Sequence, residues 1–166
     1  MDDHTASPDD LAKLWTLIKD VRVAMLTSRD GELLRSRPMV ASQSSFNGTL
    51  WFFTRASSHK VDEVGAGSQV NVSYAEPSKE NYVSLSGEAT LVRDRALIDQ
   101  HWSPLLKTWF PNGKDDPEAA LLRIDIAQAE YWDAPSSALV HLYGYVKATL
   151  TGHSPHPGEN QKLNLA

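Results

Sequence analysis

"VRVAMLTSRDGELLRSRPMVASQ", residues 21–43, reads as two β-strands folded about a turn. Apolar residues run on either side of Asp30-Gly31, a dipeptide that favours tight reversal. Pro38 in the second run removes a ladder donor, which suits an edge, a bulge or a ligand-facing segment. Arg35 and Arg37 stand two apart and so share one strand face. Two guanidiniums are costly to bury without partners. This strand therefore either lies at the surface with solvated arginines or is shaped to hold an anion or a planar ligand.

The same alternation continues outward. "NGTLWFFT" gives a turn signal at Asn47-Gly48 and a third strand, "QVNVSYAE" a fourth, "NYVSLSGEATLV" a fifth and "LLRIDIAQAEYWDA" a sixth. Ahead of them, Ser7, Pro8, Asp9 and Asp10 form a helix start, followed by Leu11, Leu14, Trp15 and Ile18 at helical spacing. "SSHKVDEV" predicts a short helix capped by Ser57 or Ser58. A helical stretch is expected over 94–110, restarting at Ser103-Pro104, and a last amphipathic helix over 139–150. Six strands joined mostly by hairpins, with helices at the ends and between, predict an α+β fold. Its core would be a six-stranded antiparallel sheet, and curling that sheet into a split β-barrel with flanking helices would remove exposed edges. The expected division is one domain over 1–152 and a flexible tail over 153–166.

The chain of 166 residues, 41% hydrophobic and 22% charged, suffices for one domain with a real core. A formal charge of -5 disfavours nucleic acid as a partner, so an anion would need a local cationic cluster. The absence of cysteine excludes disulfides and thiolate metal sites. The acidic opening "MDDHTASPDD" does not read as a signal peptide, and no apolar run suits a membrane span. A soluble cytoplasmic protein is the expectation. His153 and His156 are read as an incidental pair rather than a metal site. Trp15, Trp51 and Trp102 are read as packing residues.

Chemistry is expected where the third strand ends in Thr54 and a helix opens at Ser57-Ser58. Free N–H groups at a helix start favour negative charge. Lys60 in the first helical turn opposes the dipole unless an anion compensates. Thr54, Ser58, Lys60 and Arg37 together make a phosphate site; the alternative is a solvated helix start with an incidental lysine.

"RSRPM", "WFFTRASSHK" and "AEYWD" taken in order resemble the pyridoxamine 5'-phosphate oxidase-like split-barrel superfamily, most closely its general stress protein branch. The resemblance spans roughly residues 10 to 150. It implies a homodimer with two FMN sites at the subunit interface, and FAD remains open as the flavin. By the same resemblance Arg37 reaches the flavin phosphate and ring region, and Pro38 and Met39 supply backbone against the isoalloxazine. Phe53 and Thr54 lie beneath ring and phosphate. Ser58, His59 and Lys60 stand where the family places a phosphate-binding serine, arginine and lysine, so His59 is a departure that could make the grip pH-dependent. Trp132 matches the tryptophan delivered from the partner subunit, and Trp109 an aromatic placed over the ring across the dimer. The vitamin B6 oxidases carry a basic Arg–His segment after that tryptophan, whereas this chain reads "DAPSSALVHLYGYV". Two functions follow from different classes: a flavin-binding stress protein without turnover, and an FMN-dependent oxidoreductase acting on a small molecule.

Overall fold

The computed structural model describes residues 5–58, 61, 64, 66–133 and 159–166. Helix α1 covers Pro8–Ile18, and its start follows the capping logic of the sequence. The Ser7 hydroxyl accepts from the Asp10 amide while the Asp10 carboxylate accepts from the Ser7 amide, satisfying two donors that a helix start leaves open. Leu14 and Ile18 bury one face of α1 in the core, and Leu17 joins them.

Seven strands among the described residues form one antiparallel sheet: β1 Val23–Asp30, β2 Leu33–Val40, β3 Thr49–Arg55, β4 Ala66–Glu76, β5 Asn81–Val92, β6 Ala119–Asp133 and β7 Glu159–Asn164. The order is β2-β1-β4-β5-β6-β3, with β7 also on β6. β6 is long enough to pair with β5 along one edge and to divide its other edge. Its first half takes β3, and its second half takes β7. The fold class expected from the sequence therefore holds: α+β, antiparallel and barrel-like.

The sheet curls but stops short of closing. β2 and β3, its two ends, meet only at an Ala41–Phe52 bridge and through the Ser42 amide, which donates to the Trp51 carbonyl at 3.0 Å. This corrects the hairpin reading of Asn47-Gly48. Gly48 does take a positive φ of 98°, which suits glycine, but the strand it introduces pairs with β6 rather than folding back on β2. At the β1–β2 hairpin, by contrast, Gly31 takes φ 61° at the first position of a two-residue loop, as its turn requires.

Inside the curl lie Leu26, Leu50, Phe52, Val72, Leu85, Leu122 and Ile124, all fully buried. Each such side chain contributes about 1.5–3 kcal/mol of transfer free energy. The flexible-tail expectation is corrected over 159–164. These residues form β7, and Leu163, 1% exposed, is part of the core. Alternating residues of "ENQKLN" are mostly polar because only one face of this short strand meets the core, and a lone leucine is a faint periodic signal. The expected helical stretch over 94–110 is likewise broken. Helix α2 covers Arg95–His101, capped by the Asp94 carboxylate on the Leu97 amide, and a 3-10 turn covers Pro104–Thr108. The helix predicted over 139–150, the histidine pair at 153 and 156, and most of the helix after Ser58 lie outside the described residues.

The outer face of the curl is unusual in its chemistry. Strand register puts Val23 beside Val40, then Pro38, Met25, Ser73 and Ser84 in a row, then Ser36, Thr27, Asn71 and Ser86. No charged side chain interrupts these rows. Val23, Met25 and Val40 are exposed, as is the cross-strand pair Tyr82–Trp132 further along.

Candidate functional site

A cleft of about 280 Å³ opens at the seam between β2 and β3. Its walls follow from the strand pleat. On β3, Leu50, Phe52 and Thr54 point inward, while Trp51, Phe53 and Arg55 point outward towards α2 and the segment after it. Phe53 meets Trp102 edge-on at 5.7 Å and Phe110 at 6.1 Å between ring centroids, so an aromatic cluster backs the cleft. Pro38, Met39 and Val40 supply the opposite wall from the end of β2. Leu106 and Trp109 close it from the 3-10 turn, with the Trp109 indole 54% exposed.

One end of the cleft is polar. Thr54, 3% exposed, has its hydroxyl 3.1 Å from that of Ser58, and either can donate to the other. Each hydroxyl has a single proton, and the Thr54 hydroxyl also has the Arg55 carbonyl as a longer acceptor at 3.4 Å, so a third group competes only with that long contact for the proton the pair does not share. The turn that carries Ser58 is fixed by its amide donating to the Arg55 carbonyl at 3.0 Å. Ser57 in the same turn donates its amide and its hydroxyl to Glu118. These Ser57 bonds, side chain first, hold the Glu118 carboxyl below its ordinary pKa. Arg55 is the charged residue in the lining. An apolar aromatic slot running into a hydroxyl-bearing turn suits a planar ring that carries a polar, hydrogen-bond-accepting tail.

The sequence-predicted residues divide accordingly. Pro38, Met39, Phe53, Thr54, Ser58 and Trp109 come together in this one cleft. Trp109 lines the cleft of its own chain, whereas the resemblance has it reaching across a dimer. Arg37 does not line the cleft: its guanidinium donates to the buried Ser28 hydroxyl of β1 at 3.0 Å. Arg35 shares that strand face, as expected, and lies 3.7 Å from Asp30 at the hairpin. Trp132 stands at the far end of β6. Thr54 pairs with Ala120, and the twelve residues from there to Trp132 span up to roughly 40 Å of strand at about 3.3 Å per residue. Trp132 is not among the residues that line its own chain's cleft. His59 and Lys60 lie outside the described residues.

Sequence reasoning missed Val40, Arg55, Leu106 and Phe110 in the lining. Arg55 and Phe110 sit beside quoted residues, in "FTR" and "TWFPNG", and strand parity alone would have put Arg55 on the Phe53 face. Among the described residues no group of three histidine, aspartate or glutamate side chains could hold a metal, and no helix is long and apolar enough to cross a membrane.

Residues 9–156 match the family described as pyridoxamine 5'-phosphate oxidase like. The chain belongs to that family. A structure of a putative general stress protein 26 from Jannaschia sp. CCS1 is similar with a TM-score of 0.78 at 26% identity, covering 96% of this chain and 100% of that one. A general stress FMN/FAD binding protein from Xanthomonas citri is similar with a TM-score of 0.70 at 31% identity, over 79% of this chain and 93% of that one. In sequence, 155 residues align at 28% identity with the protein bli-3 of Neurospora crassa, covering 87% of this chain and 73% of the relative. The split-barrel reading of the sequence and the general stress protein resemblance both agree with these likenesses.

Proposed function

We propose that this chain is a flavin-binding general stress protein that holds FMN in the β2–β3 cleft. The observation that carries this is the juxtaposition of the Phe53–Trp109 slot with the Thr54–Ser58 hydroxyl pair. The slot suits the isoalloxazine, and the hydroxyl pair with the following turn suits the phosphate. β2 adds to the fit, because Pro38, Met39 and Val40 wall the cleft opposite Phe53 and offer a surface to a planar heterocycle. The Xanthomonas citri relative, an FMN/FAD binding protein, supports a flavin. FMN is favoured because the polar groups that the cleft offers end at one phosphate-sized turn; an FAD adenylate would extend outside.

The working unit under this proposal is a cytoplasmic homodimer. A cleft of about 280 Å³ is at the low end of sites that enclose an organic ligand. A second copy would complete it, and the uncharged rows that run from β2 to β5 through Met25 and Thr27 on the outer face are the kind of surface that two copies bury. Trp132, which does not line its own cleft, would then meet the flavin of its partner. His59 and Lys60 would complete the phosphate grip, and Arg37 would support the strand that carries Pro38 and Met39.

A bound flavin supplies electron transfer, and the chain orients and shields it. Apart from His59 and Lys60, which belong to the phosphate under this proposal, the described lining holds no histidine, carboxylate, lysine or tyrosine suited to general acid–base work near neutral pH. That favours a binding module over the alternative, an FMN-dependent oxidoreductase acting on a small molecule. Vitamin B6 oxidation is not proposed, since "DAPSSALVHLYGYV" lacks the basic Arg–His segment. Anaerobic mixing of the FMN-loaded protein with NADH or NADPH separates the two. Persistence of the oxidised flavin spectrum with both donors is expected; rapid bleaching with either would establish the oxidoreductase.

A further inference from the structure

We infer that Arg55 is a positioning residue that sets the Trp109 indole at the mouth of the cleft. The inference rests on the flavin reading for its consequence, but its geometry is independent of any ligand. Arg55 ends β3 on the outward face, opposite Ala119. Its guanidinium donates to the Trp109 carbonyl at 2.8 Å and lies 5.9 Å from the centroid of the Phe110 ring. One planar group thus fixes the backbone of one residue and covers the ring of the next, which a guanidinium does and an ammonium does not. No ion pair of Arg55 within bonding distance is formed among the described residues, although its charge is felt by the Glu118 carboxylate that Ser57 holds.

Trp109 depends on that tether. Its amide, and that of Phe110, donate to the Leu106 carbonyl, so the 3-10 turn holds the segment from one side. Phe110 is buried against Phe53, yet the Trp109 side chain is more than half exposed and is not anchored by burial. The Arg55 bond is the polar link from the strand that carries Phe53 and Thr54 to the backbone of Trp109. Holding that carbonyl fixes where the indole starts from, and so which face it offers to a ring lying on Pro38–Val40.

Two variants separate positioning from charge. Arg55→Met keeps the aliphatic stem over Phe110 and loses the donor; Arg55→Lys keeps a donor and the charge but loses the planar stack. In the protein without flavin, the indole N–H resonance of Trp109, assigned by its loss in Trp109→Phe, is expected to shift and broaden in Arg55→Met and to recover part of its position in Arg55→Lys. With ligand, quenching of bound flavin emission is expected to fall in Arg55→Met towards the level of Trp109→Phe. The loss should be equal for FMN and for riboflavin, and Arg55→Met should add nothing in the Trp109→Phe background. An unmoved Trp109 resonance with unchanged quenching would overturn the inference. A loss confined to FMN affinity would overturn it too, by making Arg55 a phosphate ligand. If the parent protein binds neither flavin, the flavin reading fails, and the Trp109 resonance still decides the role of Arg55.

Discussion

Removing the hydroxyls of Thr54 and Ser58 should weaken FMN and leave riboflavin untouched, and the two losses should not add. The two oxygens lie 3.1 Å apart, so one proton is spent between them, and the other, held by nothing stronger than a 3.4 Å contact from Thr54 to the Arg55 carbonyl, can turn to an anion. A hydrogen bond to a charged acceptor contributes about 1.5–3 kcal/mol, or about one to two decades in dissociation constant. Ser58→Ala frees the Thr54 proton, and Thr54→Val frees that of Ser58, so each single variant can keep part of the bond. Each should cost at most about a quarter of a decade, and the double variant the full bond, about one to two decades and so more than the sum of the singles. Riboflavin shares the ring and lacks the phosphate, so its affinity should stay level in all three. Fluorescence titration of both flavins against the parent and the variants measures this, with a thermal melt of each because Thr54 is buried. Equal losses for the two flavins would locate the damage in the ring slot or the fold. Losses that add to within about 0.5 kcal/mol would refute the shared-donor pair.

The sheet makes its own predictions. Gly87 lies where β5 and β6 shift register, and a Cβ there would sit 2.1 Å from the Asp125 carbonyl oxygen. Gly87→Ala must push backbone apart, so a loss at or above the upper end of the about 1–3 kcal/mol typical of overpacking is expected in urea unfolding; an unchanged midpoint would mean that the strands are not this close. Leu163→Ala tests β7: a core leucine lost to alanine costs about 2–5 kcal/mol, whereas a flexible tail would lose nothing measurable. Glu118 gives a pH test. Its carboxyl is held below its ordinary pKa by Ser57, so the contact is intact above the ordinary carboxylate range and is lost as pH falls through the lowered value. The Ser57 amide resonance should therefore titrate with a midpoint below 4.5, the ordinary value, and a midpoint at or above it would contradict the bond.

The strands were legible because each has one face in the core and one outside, which writes a period of two into "QVNVSYAE" or "NYVSLSGEATLV". The first helix was legible because its cap is a local chemical event among Ser7, Pro8 and Asp10. Pairing was less so. Asn47-Gly48 carries a turn signal, and nothing local says that β3 must cross to β6 rather than return to β2, since that choice is made by curling the sheet. β7 escaped notice because a short edge strand with one core residue, Leu163, has almost no period to read. Of the site, the stretches on β2 and β3 were visible as motifs. Arg55 and Phe110 became visible only when the chain laid the 104–110 segment over β3, while for Arg37, read as reaching the flavin phosphate and ring region, the fold adds a bond to Ser28 that no motif announces.

The most direct test is a titration of flavin-free protein with FMN, read by absorbance and by equilibrium dialysis, followed by a crystal structure of the loaded protein. One FMN per chain is expected, with the ring on Pro38–Val40 and Phe53 and the phosphate at the Thr54–Ser58 turn. Failure to bind FMN or FAD at saturating concentration, or a flavin seated away from the β2–β3 seam, would contradict it.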